Sequence, residues 1–217
     1  MSNIPVVIIP YRDREEHLKS FVPAFREAAG DMPIFVIEQA NDKSFNRAKL
    51  LNIGAKIAFE DGATHIITHD VDMLPVVGET VYYLGDAVHL AVNCTQFGGK
   101  LPYERYFGGV TVFSKQLFYA VNGYSNEYWG WGGEDDDMLL RVEKIGLRLQ
   151  RPDKSKFISL AHEHALNLPD AKKTHKNNCT YLNSAYDYSK DGLNTLKYEE
   201  LSTEEIEKGV FKIKVDI

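Results

Sequence analysis

The chain is short of several things, and each shortage removes a class of function. Cys94 and Cys179 are its only cysteines, with no near neighbours at metal-ligand spacing, so a disulfide scaffold or a cysteine-built zinc site is not written here. Two buried free thiols are expected instead. No run approaches about 18 apolar residues, and the short apolar start MSNIPVVIIPYRDR has no basic region ahead of it, so neither membrane insertion nor export is expected. Basic residues are in deficit: 25 Lys and Arg against 31 Asp and Glu leave a net charge of -6. That argues against nucleic acid as a partner, because affinity for a phosphate backbone comes from clustered Lys and Arg. A negatively charged substrate would need local help, from a few arginines or a metal. Tryptophan occurs twice, both times within WGWGGEDDD, residues 129 to 137.

What is present is the composition of an ordinary globular protein, 44% hydrophobic and 26% charged over 217 residues, enough for one domain with a substantial core. Pro5 to Pro10 carries the β-branched run VVII of a buried strand, stopped by its proline. Glu15 to Ala29 reads as a helix with a break or kink at Pro23 and a stop at Gly30. IFVIE (Ile34 to Glu38) is a second buried strand. From Ser44, the residues Phe45, Ala48, Leu51, Ala55 and Ala58 recur at helical spacing until Asp61-Gly62. Thr64 to Thr68 is a third strand. This alternation predicts an α/β protein with a parallel sheet and helices on its faces.

Further on, strands are expected at Ala87 to Asn93 and Val110 to Phe113, separated by a Gly-rich region from Phe97 to Gly109. A helix is expected at Ser114 to Val121. Met138, Leu139, Val142 and Ile145 form an apolar helical stripe closed by Gly146. The tail is polar from Pro169, then strand-like at Thr195 to Tyr198 and Val210 to Val215. No repeat or linker interrupts the chain, and residues 1–217 read as a single domain.

Several clusters could carry chemistry. Asp70-Val71-Asp72 stands at the carboxyl end of the third strand, where open α/β sheets bind ligands. If the segment is still extended, both carboxylates share one face and Val71 points into the core. Hard oxygen ligands there suit Mg²⁺ or Mn²⁺; a pair of solvated acids in a turn is the plainer alternative. In His162-Glu163-His164, i,i+2 spacing on a strand would turn both imidazoles the same way, to join Asp72 as ligands or to stand as surface histidines. Arg12, Arg14 and Arg47 fall at the same edge, where guanidinium groups and helix N-terminal amides receive phosphate, or where salt bridges with Asp13, Glu15 and Asp42 form. In WGWGGEDDD the acids could be an N-terminal charge cluster on a helix, which accounts for one or two of the four. A carboxylate beside bound sugar could instead deprotonate an acceptor hydroxyl, an indole is a platform for a pyranose, and the glycines would let that platform swing as a lid.

The strings PYRDREEHL (10 to 18), FNRAKLLNIG (45 to 54), HDVDMLP (69 to 75), YFGGVTVFSKQ (106 to 116), NGYSNEYWGWGGEDDDM (122 to 138), HEH (162 to 164) and DGLNTLKY (191 to 198) resemble the β-1,4-galactosyltransferase family, in family order, over nearly the whole chain. The resemblance implies a GT-A glycosyltransferase fold, a Rossmann-like mixed sheet flanked by helices. It also implies an inverting, Mn²⁺-dependent transfer from a UDP-sugar, usually UDP-galactose, to a terminal sugar hydroxyl.

Carried over by position, Pro10, Arg12, Arg14, Phe45 and Arg47 are similar to the family's uridine-diphosphate group. Asp72 resembles its metal carboxylate, with Asp70, Val71 and Gly109 on the nucleotide-sugar side. His162 and His164 resemble the metal ligands of the xylose-galactosylating branch. Trp131 matches the mobile-loop tryptophan, Asp135 the catalytic base, and Glu134 and Asp136 the groups that hold donor and acceptor hydroxyls. Tyr106 falls where galactose is chosen over bulkier N-acetylated donors. Gln96 stands where many members carry a lysine near the diphosphate.

The acceptors so implied are xylosides or N-acetylglucosaminides, and the alternative donors are UDP-GalNAc and UDP-glucose. A metal-dependent phosphohydrolase would use similar ligands but release phosphate, and a non-catalytic sugar-binding module would consume no nucleotide sugar. The compartment expected is the cytoplasm for a complete microbial or viral chain and the Golgi lumen for a trimmed catalytic domain.

Overall fold

A computed structural model describes residues 3–161, 171–184 and 186–217. The first half follows the alternation in the sequence: β1 (Pro5–Tyr11), α1 (Glu15–Ala29), β2 (Ile34–Gln39), α2 (Arg47–Glu60) and β3 (His65–His69). β1 lies between β2 and β3, parallel to both. A continuous apolar run forms here because both faces are covered. Val6 and Ile8 join one buried cluster with α2, while Val7 and Ile9 join the other with Leu18, Phe21, Val22 and Phe25 of α1.

β1 extends through Pro10 to Tyr11. Pairing with β3 ends at Ile8, so the missing N–H of Pro10 interrupts no ladder on that side. α1 likewise runs unbroken through Pro23, against the expected kink. Pro23 is exposed and so is Lys19 four residues before it, so the carbonyl left without a donor faces water, while the apolar stripe holds both halves on the sheet.

The remaining elements are β4 (Met73–Pro75), β5 (Ala87–His89), β6 (Asn93–Cys94), β7 (Val110–Ser114), α3 (Lys115–Ala120), α4 (Glu134–Lys144), β8 (Lys156–Ser159), α5 (Ala171–Leu182), β9 (Glu199–Glu207) and β10 (Val210–Asp216). Seven strands form one mixed sheet in the order β5-β7-β3-β1-β2-β10-β9, and β4, β8 and β6 form a smaller one. The single strand expected at Ala87 to Asn93 is therefore two pieces in two sheets.

Three other expectations are corrected. The strand placed at Thr195 to Tyr198 begins only at Glu199, because every residue of β9 is exposed and no apolar alternation marks it. α4 itself starts at Glu134 with the four acids in its first turn, one of the two readings given to them. α5, in the tail taken as merely polar, was not anticipated. Both thiols are free, but only Cys94 is buried; Cys179 is half-buried. No helix among the described residues is long and apolar enough to cross a membrane.

Candidate active site

The sheet ends where the chemistry begins. β3 stops at His69, and Asp70 to Asp72 form a tight turn in which the Met73 N–H donates to the Asp70 carbonyl at 3.1 Å. The backbone is thus not extended, and the two carboxylates do not share a strand face; Val71 is buried, as expected. The turn is held from outside. The Asp70 N–H donates to Gly109 at 3.1 Å, and the buried His69 ring donates from Nδ1 to the Asp70 carbonyl at 2.9 Å while accepting from the Tyr82 hydroxyl at 3.1 Å.

Asp72 is reached from a distant part of the chain. β8 pairs antiparallel with β4, and beyond it the Leu160 N–H donates to the Asp72 carbonyl at 2.7 Å. The chain two residues short of His162 therefore runs alongside Asp72. His162 and His164 themselves lie outside the described residues, and among those described no group of three His, Cys, Asp or Glu gathers for a metal.

Arg47, the first residue of α2, is the hub of the site. Asn46 caps the helix by accepting from the Lys49 N–H at 2.8 Å, which occupies one of the N-terminal amides. The Arg47 guanidinium donates from Nε to Asp70 and from Nη1 to Asp135, each at 2.8 Å, with Glu134 at 3.7 Å. An arginine expected on the diphosphate is thus engaged by carboxylates from the turn after β3 and from α4. Burial pulls its pKa down, but Asp135, Asp70 and Glu134 together hold it well above the ordinary value. Asp135 is pushed well up, by burial first and then by Glu134 and Asp70, against the pull of Arg47. Glu134 is raised by burial as well. Such a carboxylate is a stronger base than a solvated one.

The floor beneath Asp135 is glycine for steric reasons. A Cβ on Gly108 would lie 2.7 Å from Asp135 Oδ2 and 2.8 Å from the Tyr106 hydroxyl. Arg151 and His89 support this floor. Arg151 donates to the Tyr106 carbonyl at 2.8 Å and, at 3.4 Å, to Nδ1 of the buried His89, whose Nε2 donates to the Gly108 carbonyl at 2.9 Å. Burial depresses the His89 pKa to about 4, so the ring stays neutral in this tautomer.

The WGWGG loop forms the opposite rim. Gly130, Gly132 and Gly133 all have positive φ, and Gly133 leads directly into the acidic first turn of α4. Trp129 packs against the core, whereas Trp131 is 41% exposed with its ring centroid 5.0 Å from that of His175. Asp136 accepts from the Tyr103 hydroxyl at 3.0 Å. Asp137 turns the other way, into a buried network: it pairs with Arg141 at 2.8 Å and accepts from Tyr186, while Arg141 also donates to the carbonyls of Gly123 and Asp191 at 2.9 Å. One of the four acids is therefore structural.

Among the residues expected to hold the nucleotide, Arg12 stacks on Phe45 with its guanidinium carbon 5.4 Å from the ring centroid, and donates to the Lys43 carbonyl at 2.7 Å. Arg14 immediately precedes α1, and Pro10 is in register with Ile37 on β2.

Several positioning groups lie inside the motif strings but carry no chemistry that singles them out in sequence. Asn46 donates to the Asn126 carbonyl at 2.8 Å, Asn52 donates to the Tyr124 carbonyl at 2.8 Å and to the Asn126 side chain at 3.0 Å, and Asp191 accepts from the Asn126 N–H at 2.9 Å. These contacts tie α2 and residues 191–195 to the strand of chain that leads into the loop.

Two family models match consecutive parts of the chain: the N-terminal region of glycosyl transferase group 7 over residues 2–84, and the N-terminal domain of galactosyltransferase over residues 88–164. Beta-1,4-galactosyltransferase 2 of Cricetulus griseus is 39% identical over 205 residues, which cover 90% of this chain and 54% of that protein. Beta-1,4-galactosyltransferase 1 of Homo sapiens is 44% identical over 153 residues, 68% of this chain and 38% of that protein. The chain thus spans about half the length, or less, of these curated relatives. A crystal structure of a mutant Drosophila β-1,4-galactosyltransferase 7 in complex with manganese, UDP-Gal and xylobiose superposes with a TM-score of 0.79 at 27% identity, covering 100% of this chain and 94% of that one.

Proposed function

Because the chain belongs to the β-1,4-galactosyltransferase family, with the GT-A fold, we propose that it transfers galactose from UDP-galactose to a terminal sugar hydroxyl, with inversion and a β-1,4 linkage in the product. The observation that carries this reading is the bridge from Asp70 through Arg47 to Asp135. It brings a carboxylate of raised basicity to the strand end where a nucleotide sugar is expected to lie.

The acceptor hydroxyl gives its proton to Asp135 at Oδ2, the oxygen not bonded by Arg47, and attacks the anomeric carbon from the face opposite the nucleotide. Arg47 fixes the orientation of Asp135 and, as its neighbouring cation, favours the ionised form against the effect of burial. Glu134 and Asp136 hold donor and acceptor hydroxyls, with Tyr103 setting the Asp136 rotamer. Arg12 presents Phe45 as a surface for the uracil, and Arg14 adds positive charge near the phosphates. Val71 and Gly109 line the nucleotide-sugar side of the strand end. Tyr106, above the Gly108 floor, limits the bulk at the donor sugar. Trp131 covers the donor and keeps water from the reacting carbon.

The donor set fits manganese: Asp72 would supply a carboxylate, His162 and His164 would supply imidazoles, and Leu160, two residues before His162, bonds to the Asp72 carbonyl. When bound, the ion neutralises the charge that develops on the departing diphosphate.

The test is a panel of UDP-galactose, UDP-GalNAc and UDP-glucose with Mn²⁺, scored for UDP release and for a new glycoside with xylosides and N-acetylglucosaminides as acceptors. Transfer from UDP-galactose is expected, and chelation with EDTA abolishes it. Asp135→Asn should lower kcat by about 10²- to 10⁴-fold while UDP binding persists. Release of sugar phosphate, or turnover unchanged in Asp135→Asn, would overturn the reading.

A further inference from the structure

One side chain on α5 holds the tryptophan loop in shape. Asn178 is buried, and its Nδ2 lies 2.9 Å from the carbonyl oxygen of Gly132, 3.1 Å from that of Trp129 and 3.3 Å from that of Trp131. An amide NH₂ has two hydrogens, so the three carbonyls share two donors. Three carbonyls converge on one point because the intervening Gly130 and Gly132 take positive φ, a backbone shape that needs an external donor to hold its oxygens together. The rest of α5 is moulded to the same loop. Cβ atoms on Gly130 and Gly132 would lie 2.7 Å from Thr174 Oγ1 and 3.0 Å from His175 Nδ1, and the His175 ring packs tilted against Trp131.

We propose that Asn178 is a positioning residue of the transfer reaction: by gathering the carbonyls of Trp129, Trp131 and Gly132, it sets both the Trp131 cover and the first turn of α4, which carries Glu134 and Asp135. The proposal rests on the transferase reading above. Asn178 touches no substrate; it acts through the loop.

The chain offers a direct probe, because its only two tryptophans both lie in this loop, so intrinsic indole emission reports on nothing else. Asn178→Asp keeps the size of the side chain but presents acceptors to acceptors; Asn178→Ala removes the donor; Asn177→Ala changes the exposed neighbour on the same helix. With melting temperature as the check on folding, both Asn178 variants should red-shift the emission, raise acrylamide quenching and lower kcat/KM for UDP-galactose by about 10- to 100-fold. UDP affinity by calorimetry should stay within about twofold, since Asn178 bonds to Trp129, Trp131 and Gly132 and not to Arg12 or Phe45, and Asn177→Ala should match wild type throughout. Asn178→Ser, with a single donor, should fall between, and decides the matter if Asn178→Asp does not fold. Wild-type emission and kcat/KM in Asn178→Asp, or lost activity with unaltered emission, would refute the positioning role. Failure of the wild type to transfer galactose would sink the transferase reading instead, with the emission shift still reporting on the loop.

Discussion

At the scale of single residues, the site works by placing carboxylates where they resist ionisation and one guanidinium where it opposes that resistance. As the proposed base, Asp135 must be ionised to accept a proton, so kcat/KM is expected to rise with pH through its pKa. Burial and the charges of Glu134 and Asp70 put that acid limb above the ordinary carboxylate range near about 3.9. Arg47 acts in the opposite sense. Arg47→Gln should therefore move the limb to higher pH, as well as lowering the rate, in a pH–kcat/KM profile. A limb that stays in place would mean that the base lies elsewhere. Asp137 shows that adjacent, chemically similar residues need not share a role: its oxygens are consumed by Arg141 and Tyr186. Sequence presents four acids alike, because which way each points depends on helix phase and on partners far along the chain.

At the scale of elements, the close approach of α4 to the turn after β3 depends on a residue with no side chain. Gly108 has no positive φ to explain it; the explanation is the 2.7 Å at which a methyl would meet Asp135 Oδ2. Gly108→Ala should displace Asp135 and cost about 100-fold in kcat, with circular dichroism and melting temperature little changed, because the clash falls on a side-chain tip and not on the core. A variant with full activity would show that Asp135 has room to spare. α5 illustrates what periodicity misses. AKKTHKNNCTYL buries only Ala171 and Asn178, so no apolar stripe announces a helix, and its bonds to the tryptophan loop come from a polar side chain. β9 escaped for the same reason, whereas VVII, IFVIE and the stripe of α2 were legible because burial on the sheet demands those residues.

At the scale of the whole molecule, buried polar groups lock the layers together, and two tests follow. Arg141 joins α4 to residues 186–191, and Arg141→Met would leave Asp137 and Asp191 buried without their cation. A loss of about 3–5 kcal/mol is expected, or roughly 6–20 °C in Tm by calorimetry. A fall of under about 1 kcal/mol would show that the network is expendable.

The second test is acid stability. Burial depresses the pKa of His69 and of His89 from 6.5 to about 4. A base with a depressed pKa is neutral in the fold but takes up a proton on unfolding. Its contribution is therefore present above about 6.5 and lost as pH falls through about 4. Each such histidine adds up to about 1.4 kcal/mol per pH unit to the slope in that window. His69→Phe, within its cage of Phe21, Phe25, Phe157 and Tyr82, should remove one proton's worth. The difference between variant and wild type in urea unfolding cancels the opposing titration of Asp135, Glu134 and Asp137.

By itself the sequence determined the alternating strands and helices of the first half, the strand end at which Asp70 and Asp72 stand, and the motif strings that mark the family. All of these are local, set by side-chain periodicity and by residue types within a few positions of one another. Only the tertiary structure decided that Asp70 to Asp72 turn instead of extending, that Arg47 bridges two carboxylates, that Asp137 faces inward and that Asn178 holds the tryptophan loop. Each of those depends on atoms brought together from separate parts of the chain, and a hydrogen bond is formed at a distance in space that no spacing in sequence records.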